Sequence, residues 1–228
     1  MPENATPFWW IVCIRRTGGK RGTRLDTIIT IKDLRKVYKL GQEKVVALDG
    51  INLEIGKGQV CCILGTSGSG KSTLLNQLAG LEKPTSGSVY IGKNNISKFS
   101  EDRLAAFRQR NIGFIFQSYN LMASNTALEN VAMPLMFRGV SKSKREKLAA
   151  HMLREVGLEK RMHHRPNQMS GGQQQRVGIA RAFVGNPKII FADEPTGNLD
   201  TKTTIEVMAM MVRMCRENHQ TMILVTHD

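Results

Sequence analysis

Gly65 to Ser72 reads GTSGSGKS and fits the spacing G-x-x-x-x-G-K-[ST]. That spacing serves one kind of chemistry. Glycines let successive backbone N–H groups turn inward around a phosphate with no Cβ in the way. The helix expected to follow points its positive end at the same phosphate. Lys71 is placed to bridge the β- and γ-phosphates of a nucleotide, and the Ser72 hydroxyl to ligate Mg²⁺. Thr73 can donate to the α-phosphate, while Thr66, Ser67, Gly68, Ser69 and Gly70 supply the backbone of the cradle. The bland reading is a glycine-rich turn that binds nothing. It leaves unexplained why the string sits between a strand pattern and a helix pattern. By itself the cradle implies ATP or GTP and no biology.

Two further strings carry chemistry. Met169 to Arg176 reads MSGGQQQR. Ser170 and Gln173 have capping-box spacing, so the plain reading is a helix start. Gly171 and Gly172 just inside that helix cost about 1 kcal/mol each against alanine. A cap has no need of them, whereas the close approach of a large anion does. The third string, Phe191 to Glu194 (FADE), ends an apolar strand on two carboxylates, Asp193 and Glu194. Such a pair at a buried strand end is costly without a cation, which again points to metal or phosphate chemistry.

With these strings in this order, the chain resembles the ATP-binding cassette family, whose LSGGQ signature stands here as MSGGQ. The resemblance runs from about Thr27 to the end. FADEPTGNLD (Phe191 to Asp200) with QQQRVGIARA (Gln173 to Ala182) looks like the subgroup of macrolide exporters, lipoprotein-releasing ATPases and the cell-division ATPase. Two positions depart from that pattern, Thr66 for proline and Met169 for leucine, and neither removes a ligand.

The resemblance implies an α/β P-loop NTPase fold: a mostly parallel core sheet, an N-terminal antiparallel β part and a lateral α-helical subdomain. It also implies a role for each matching residue. Tyr38 would stack on adenine, Gln117 would contact Mg²⁺ and sense the γ-phosphate, and Asp193 would hold the Mg²⁺ shell. Glu194 would activate the attacking water, and His227 would hold the γ-phosphate. Leu199 and Asp200 would join two active sites. Ser170, Gly171, Gly172 and Gln173 would close over the ATP of a second copy, head to tail. The implied activity is hydrolysis of ATP to ADP and phosphate, with ATP and Mg²⁺ bound. The implied partners are another copy of the chain and an integral membrane permease, at the cytoplasmic face of the cell membrane. The cargo would be a peptide, a lipoprotein or a hydrophobic drug. The segment Tyr119 to Leu121 would pass the motion to the permease. Two other readings stand beside this one: a nucleic-acid- or ribosome-associated ATPase of the same superfamily, and a regulator without transport, as in cell division.

The elements that must position these residues follow from the pattern. Strands are expected at Thr27 to Ile31, within Val45 to Ile55 (a strand pair), and at Gln59 to Leu64, Gly87 to Ile91, Ile112 to Phe116, Lys188 to Ala192 and Thr221 to Val225. A helix is expected from Lys71 to Ala79, closed by Gly80, and another capped by Ser100, with Glu101 and Asp102 on the favourable side of its dipole. Capping boxes are expected at Thr126/Glu129 and Ser143/Glu146. Leu148, Met152 and Val156 mark one helix face, and Ile205, Met208, Val212 and Cys215 another. Strands alternating with helices argue for a parallel sheet with covered faces. The expected organisation is a leader over 1–26, a core of 27–117 with 167–228, and a helical subdomain over 118–166. The chain ends one residue after His227, which reads as a C-terminal truncation of the family pattern.

The composition agrees. The chain has 228 residues and a formal charge of +14, from 33 basic against 19 acidic. That surplus suits an anionic partner or plain solubility. It encourages the nucleic-acid reading, but no sustained heptad run supplies the long coiled coil such ATPases carry. The aliphatic core must dominate, because only 6% of residues are aromatic. Phe8 to Ile14 is too short to span a membrane, and its basic residues, Arg15 onward, follow it rather than precede it, so it is not a secretory signal. Trp9 and Trp10 with those charges suit either a lipid surface or a leader outside the fold. No Cys-x-x-Cys pair indicates zinc. Cys61 and Cys62 read as small buried hydrophobes in a reducing compartment.

Overall fold

The computed structural model describes Trp9–Ile14, as backbone, and residues 26–227. Most of the leader expected over 1–26 lies outside these residues. In chain order the elements are β1 (Trp9–Ile14), β2 (Thr27–Leu40), β3 (Glu43–Gly56), β4 (Val60–Gly65), α1 (Lys71–Leu78), β5 (Ser86–Ile91), β6 (Asn94–Asn95), α2 (Glu101–Asn111), β7 (Ile112–Ile115), α3 (Ala127–Phe137), α4 (Lys142–Glu155), α5 (Gly171–Phe183), β8 (Ile189–Asp193), α6 (Thr201–Glu217) and β9 (Thr221–Thr226). They form two compact units, one from residues 1–106 with 221–228 and one from residues 107–220.

The first unit holds an antiparallel sheet in the order β3-β2-β5-β6. Its central strand β2 runs well past Ile31, where the β-branched pattern stops. Lys32 to Leu40 is too charged to read as a strand, but β3 pairs along it as far as Leu40 and β5 pairs with it at Lys32 and Arg35. Register shifts after Ile31 re-aim the strand so that Leu34 is fully buried with Ile29. β3 is one strand, not the expected pair. In the same unit β1 pairs antiparallel with β4, and β4 pairs parallel with β9. Val60, Cys61, Ile63, Met222, Ile223 and Val225 are buried there, as are Leu74, Leu75 and Leu78 of α1. Each such side chain contributes about 1.5–3 kcal/mol by leaving water. Cys61 is buried but disulfide-bonded, against the expected reducing compartment, and Cys62 is a free thiol only half-buried.

In the second unit β7 pairs parallel with β8. Helix α5 packs so closely on β7 that a Cβ on Gly113 would sit 2.3 Å from the Ala182 carbonyl oxygen. The Thr126/Glu129 capping box of α3 forms as expected. The Ser143/Glu146 box does not: α4 starts at Lys142 behind Ser141, whose side chain makes no cap. Its buried face is Ala149, Leu153 and Val156, with Leu148 exposed. Small Ala149 faces inward, where the pattern favoured larger Leu148. Helix α6 likewise buries Val207, Met210, Met211, Met214 and Cys215, and leaves Ile205 66% exposed. Two apolar stripes run along that methionine-rich helix, and the expected one is mostly not the buried one.

Candidate nucleotide site

The first unit carries the cradle. Strand β4 ends at Gly65, and α1 begins at Lys71 behind Gly70, whose left-handed backbone (φ 88°) has no side chain to cap the helix. The N-cap residue therefore offers the first turn of α1 no side-chain acceptor. A Cβ on Gly70 would lie 2.5 Å from the Ala47 carbonyl oxygen, so only glycine fits. Lys71 is buried, and its Nζ donates to the carbonyls of Gly65 (2.7 Å) and Thr66 (2.8 Å). The Ser69 hydroxyl is buried with no partner. A buried hydroxyl without a partner costs about 1–3 kcal/mol unless something supplies one. An uncapped helix start, a buried cation and an orphaned hydroxyl together suit a polyphosphate.

His227 follows β9 directly and is exposed. The parallel register pairs Leu64 with Thr226, so Gly65 and His227 leave the sheet side by side. That brings the expected γ-phosphate histidine to the mouth of the cradle. Tyr38, on β2, has its hydroxyl donating to Glu82 Oε2 at 2.7 Å. Burial, then the bond to Glu82, pushes the Tyr38 phenol above its ordinary value. Burial pulls the Glu82 carboxyl up, but hydrogen bonds from Tyr38, Lys36 and Asn76 outweigh it and leave Glu82 below the usual carboxylate range. Neither Glu82 nor Lys36 carries a spacing that marks it in the sequence.

The second unit carries the other expected residues. Gln117 follows β7 and is half-buried, and its carbonyl accepts from Asn198 Nδ2 at 3.1 Å. Its side chain lies against Gly197, where a Cβ would stand 2.8 Å from Nε2. Past Ser118, Tyr119 and Asn120 have φ of 59° and 48°. Arg181 of α5 holds that left-handed pair by donating to the carbonyls of Tyr119, at 2.8 Å, and Asn120. Burial lowers the Arg181 pKa. Arg181 is a positioning residue that the sequence reading missed. Asp193 ends β8, and Glu194 follows it with a left-handed backbone (φ 43°), which turns its carboxylate out of the strand alternation. Thr203 bonds hold the Asp200 carboxyl below its ordinary value while Asp200 caps α6.

Ser170 caps α5 as the sequence predicts, accepting from the Gln173 N–H while the Gln173 side chain bonds the Ser170 N–H. The two glycines also have close neighbours within the chain. A Cβ on Gly171 would meet the Tyr119 hydroxyl at 2.8 Å, and one on Gly172 the Thr203 methyl at 2.9 Å. Each neighbouring atom ends a side chain, so a small turn of that side chain would relieve the contact.

The chain is similar to known proteins over most of its length. Residues 48–197 match the ABC transporter family. An uncharacterized ABC transporter ATP-binding protein of Thermotoga maritima is 50% identical, over 90% of this chain and 87% of its own length. The lipoprotein-releasing system ATP-binding protein LolD of Geobacter metallireducens is 46% identical, over 90% and 91%. The macrolide export ATP-binding/permease protein MacB of Hyphomonas neptunium is 46% identical, but the chain spans only 31% of its length. Among solved structures, the ATP-binding cassette MJ0796 in a dimeric post-hydrolysis state with ADP and Pi is 45% identical, covers 88% of each chain and has a TM-score of 0.81. The chain belongs to the ABC transporter family, as an ATP-binding and ATP-hydrolysing subunit.

Proposed function

We propose that this subunit works as a head-to-tail pair and energises a membrane permease that exports or releases a peptide, lipoprotein or hydrophobic drug. The cradle carries the reading: a buried Lys71 beside an uncapped helix start and an orphaned Ser69 hydroxyl. The names of LolD and MacB support the direction of transport, and the dimeric state of the MJ0796 cassette supports the pairing. The subunit would then sit at the cytoplasmic face of the membrane against its permease. No helix among the described residues is long and apolar enough to cross a membrane.

Phosphoryl transfer asks a protein for positioning and charge neutralisation more than for covalent help. Lys71 and the N–H groups of α1 would hold the β- and γ-phosphates, and Tyr38 would stack on the base. His227 would bind the γ-phosphate beside Gly65. Glu194 would orient the attacking water and take its proton. Mg²⁺ in such sites is held by phosphate oxygens and one or two protein groups, a role that suits the Ser72 hydroxyl and the Asp193 carboxylate, with Gln117 beside them. Bound there, it neutralises charge on the phosphates. Ser170, Gly171, Gly172 and Gln173 would cap the γ-phosphate held by the other copy, and Asp200 would lie at the junction of the two copies.

Glu194→Gln removes the base while keeping the shape. With ATP and Mg²⁺ it is expected to bind nucleotide, release no phosphate and shift to the dimer mass in light scattering. A variant that stays monomeric at saturating ATP overturns the paired mechanism, and near-native turnover overturns the base.

A further inference from the structure

Tyr38 is held in a frame of polar contacts larger than one hydrogen bond. Its hydroxyl donates to Glu82 Oε2 at 2.7 Å. Lys36 Nζ lies 3.2 Å from the same carboxylate oxygen and 5.0 Å from the centre of the Tyr38 ring. Lys36 also donates to the Lys83 carbonyl at 2.9 Å, which fixes its ammonium in place. The other carboxylate oxygen of Glu82 accepts from Asn76 Nδ2 at 3.2 Å. Asn76 belongs to α1, the helix that opens on the cradle. On either side of the tyrosine the backbone is clamped to the same turn: Val37 N–H donates to Thr85 Oγ1, and Thr85 N–H to the Arg35 carbonyl, each at 2.9 Å.

This arrangement fixes an aromatic plane. Tyrosine turns about two side-chain torsions, and anchoring the hydroxyl removes most of that freedom. Lys36 takes one ring face in a cation–π contact, so a stacking partner has the other. The carboxylate that holds the hydroxyl is itself tied to α1, so the ring keeps a set distance from the phosphate end of the site. The Val37 and Thr85 bonds already hold β2 against the 82–85 turn through the backbone. The Glu82–Tyr38–Lys36 contacts reinforce that clamp, and they alone also anchor the hydroxyl and one face of the ring.

We infer that Glu82, with Lys36, is a positioning residue for the nucleobase: it sets the plane of Tyr38 so that a purine stacks on the face Lys36 leaves. The inference rests on the reading of Tyr38 as the base-stacking side chain. Glu82 acts only through that ring and leaves the phosphates to the cradle.

Titration calorimetry with ATP and with tripolyphosphate, which has no base, tests it on the native chain and the variants Y38A, E82A, E82Q and K36M. E82A is expected to bind ATP roughly tenfold more weakly, within the range for losing a base–aromatic stack, and to bind tripolyphosphate as the native chain does. E82Q keeps an acceptor and is expected to recover much of the loss. K36M keeps the stem and loses the charge, and is expected to weaken ATP alone. It serves as the test should E82A fail to fold. If Y38A weakens ATP and neither E82A nor K36M does, the positioning role is overturned and the stacking role of Tyr38 stands. If Y38A binds ATP like the native chain, the stacking reading falls and takes this inference with it. Equal losses for ATP and tripolyphosphate in E82A overturn it too, because Glu82 would then support the cradle.

Discussion

At the scale of single residues, the side chains that matter are few and their environments differ sharply. Gly70 is fixed twice, by its left-handed φ and by the Ala47 carbonyl 2.5 Å from where a Cβ would be. Gly70→Ala is expected to abolish ATP binding in calorimetry, as is Lys71→Ala, which removes the buried cation. Full affinity in either variant would show that the cradle is not the site. Gln77 is a contrasting case. It lies on α1 with 1% exposure, and neither its Oε1 nor its Nε2 has a partner. A buried amide left unpaired costs about 1–3 kcal/mol. Gln77→Leu, of similar length and apolar, is expected to raise the melting temperature, by roughly 2–4 °C per kcal/mol recovered in a chain this size. A lower melting point would mean that water or a bound group satisfies the amide.

At the scale of elements, spacing was legible wherever one local rule decides. The cradle between β4 and α1, the Thr126 and Ser170 capping boxes and the glycine at the end of α4 were all readable, because each depends on neighbours within a few residues. Faces were less legible. In α6 two apolar stripes compete, and packing rather than pattern selected Val207, Met210, Met211 and Met214. Arg181 was invisible for the same reason: its partners are carbonyls some sixty positions back along the chain. Arg181→Ala is expected to release the Tyr119–Asn120 pair, costing about 2 kcal/mol for a charged donor shared by two acceptors. Hydrogen exchange at those two amides should rise. Arg181→Lys should restore only part, since an ammonium lacks the two-pronged geometry of a guanidinium. Unchanged exchange in the alanine variant would show that the loop holds itself.

Over the whole molecule, the ordered set of motifs pointed to the family before any fold was known, because each is a contiguous string at the end of a strand or the start of a helix. What spacing did not reveal was the support around them, such as Glu82 behind Tyr38, which joins residues distant in sequence. That support also sets how stability responds to acid. Glu82 and Glu129 titrate below their ordinary range in the folded chain, the latter chiefly through the Thr126 N–H and hydroxyl. The folded state therefore binds fewer protons than the unfolded one. Their contribution is complete above the ordinary glutamate value of about 4.3 and fades as pH drops through the lowered folded values. Denaturant midpoints measured from pH 6 to pH 3 should fall, and fall less steeply in a Glu82→Gln, Glu129→Gln double variant. An unchanged slope would assign the acid response to other carboxylates. Lys71 has a further consequence. Its ammonium already rests on the Gly65 and Thr66 carbonyls. An arriving phosphate must therefore draw this cation away from acceptors that already satisfy it, so part of what binding gains is offset by that exchange.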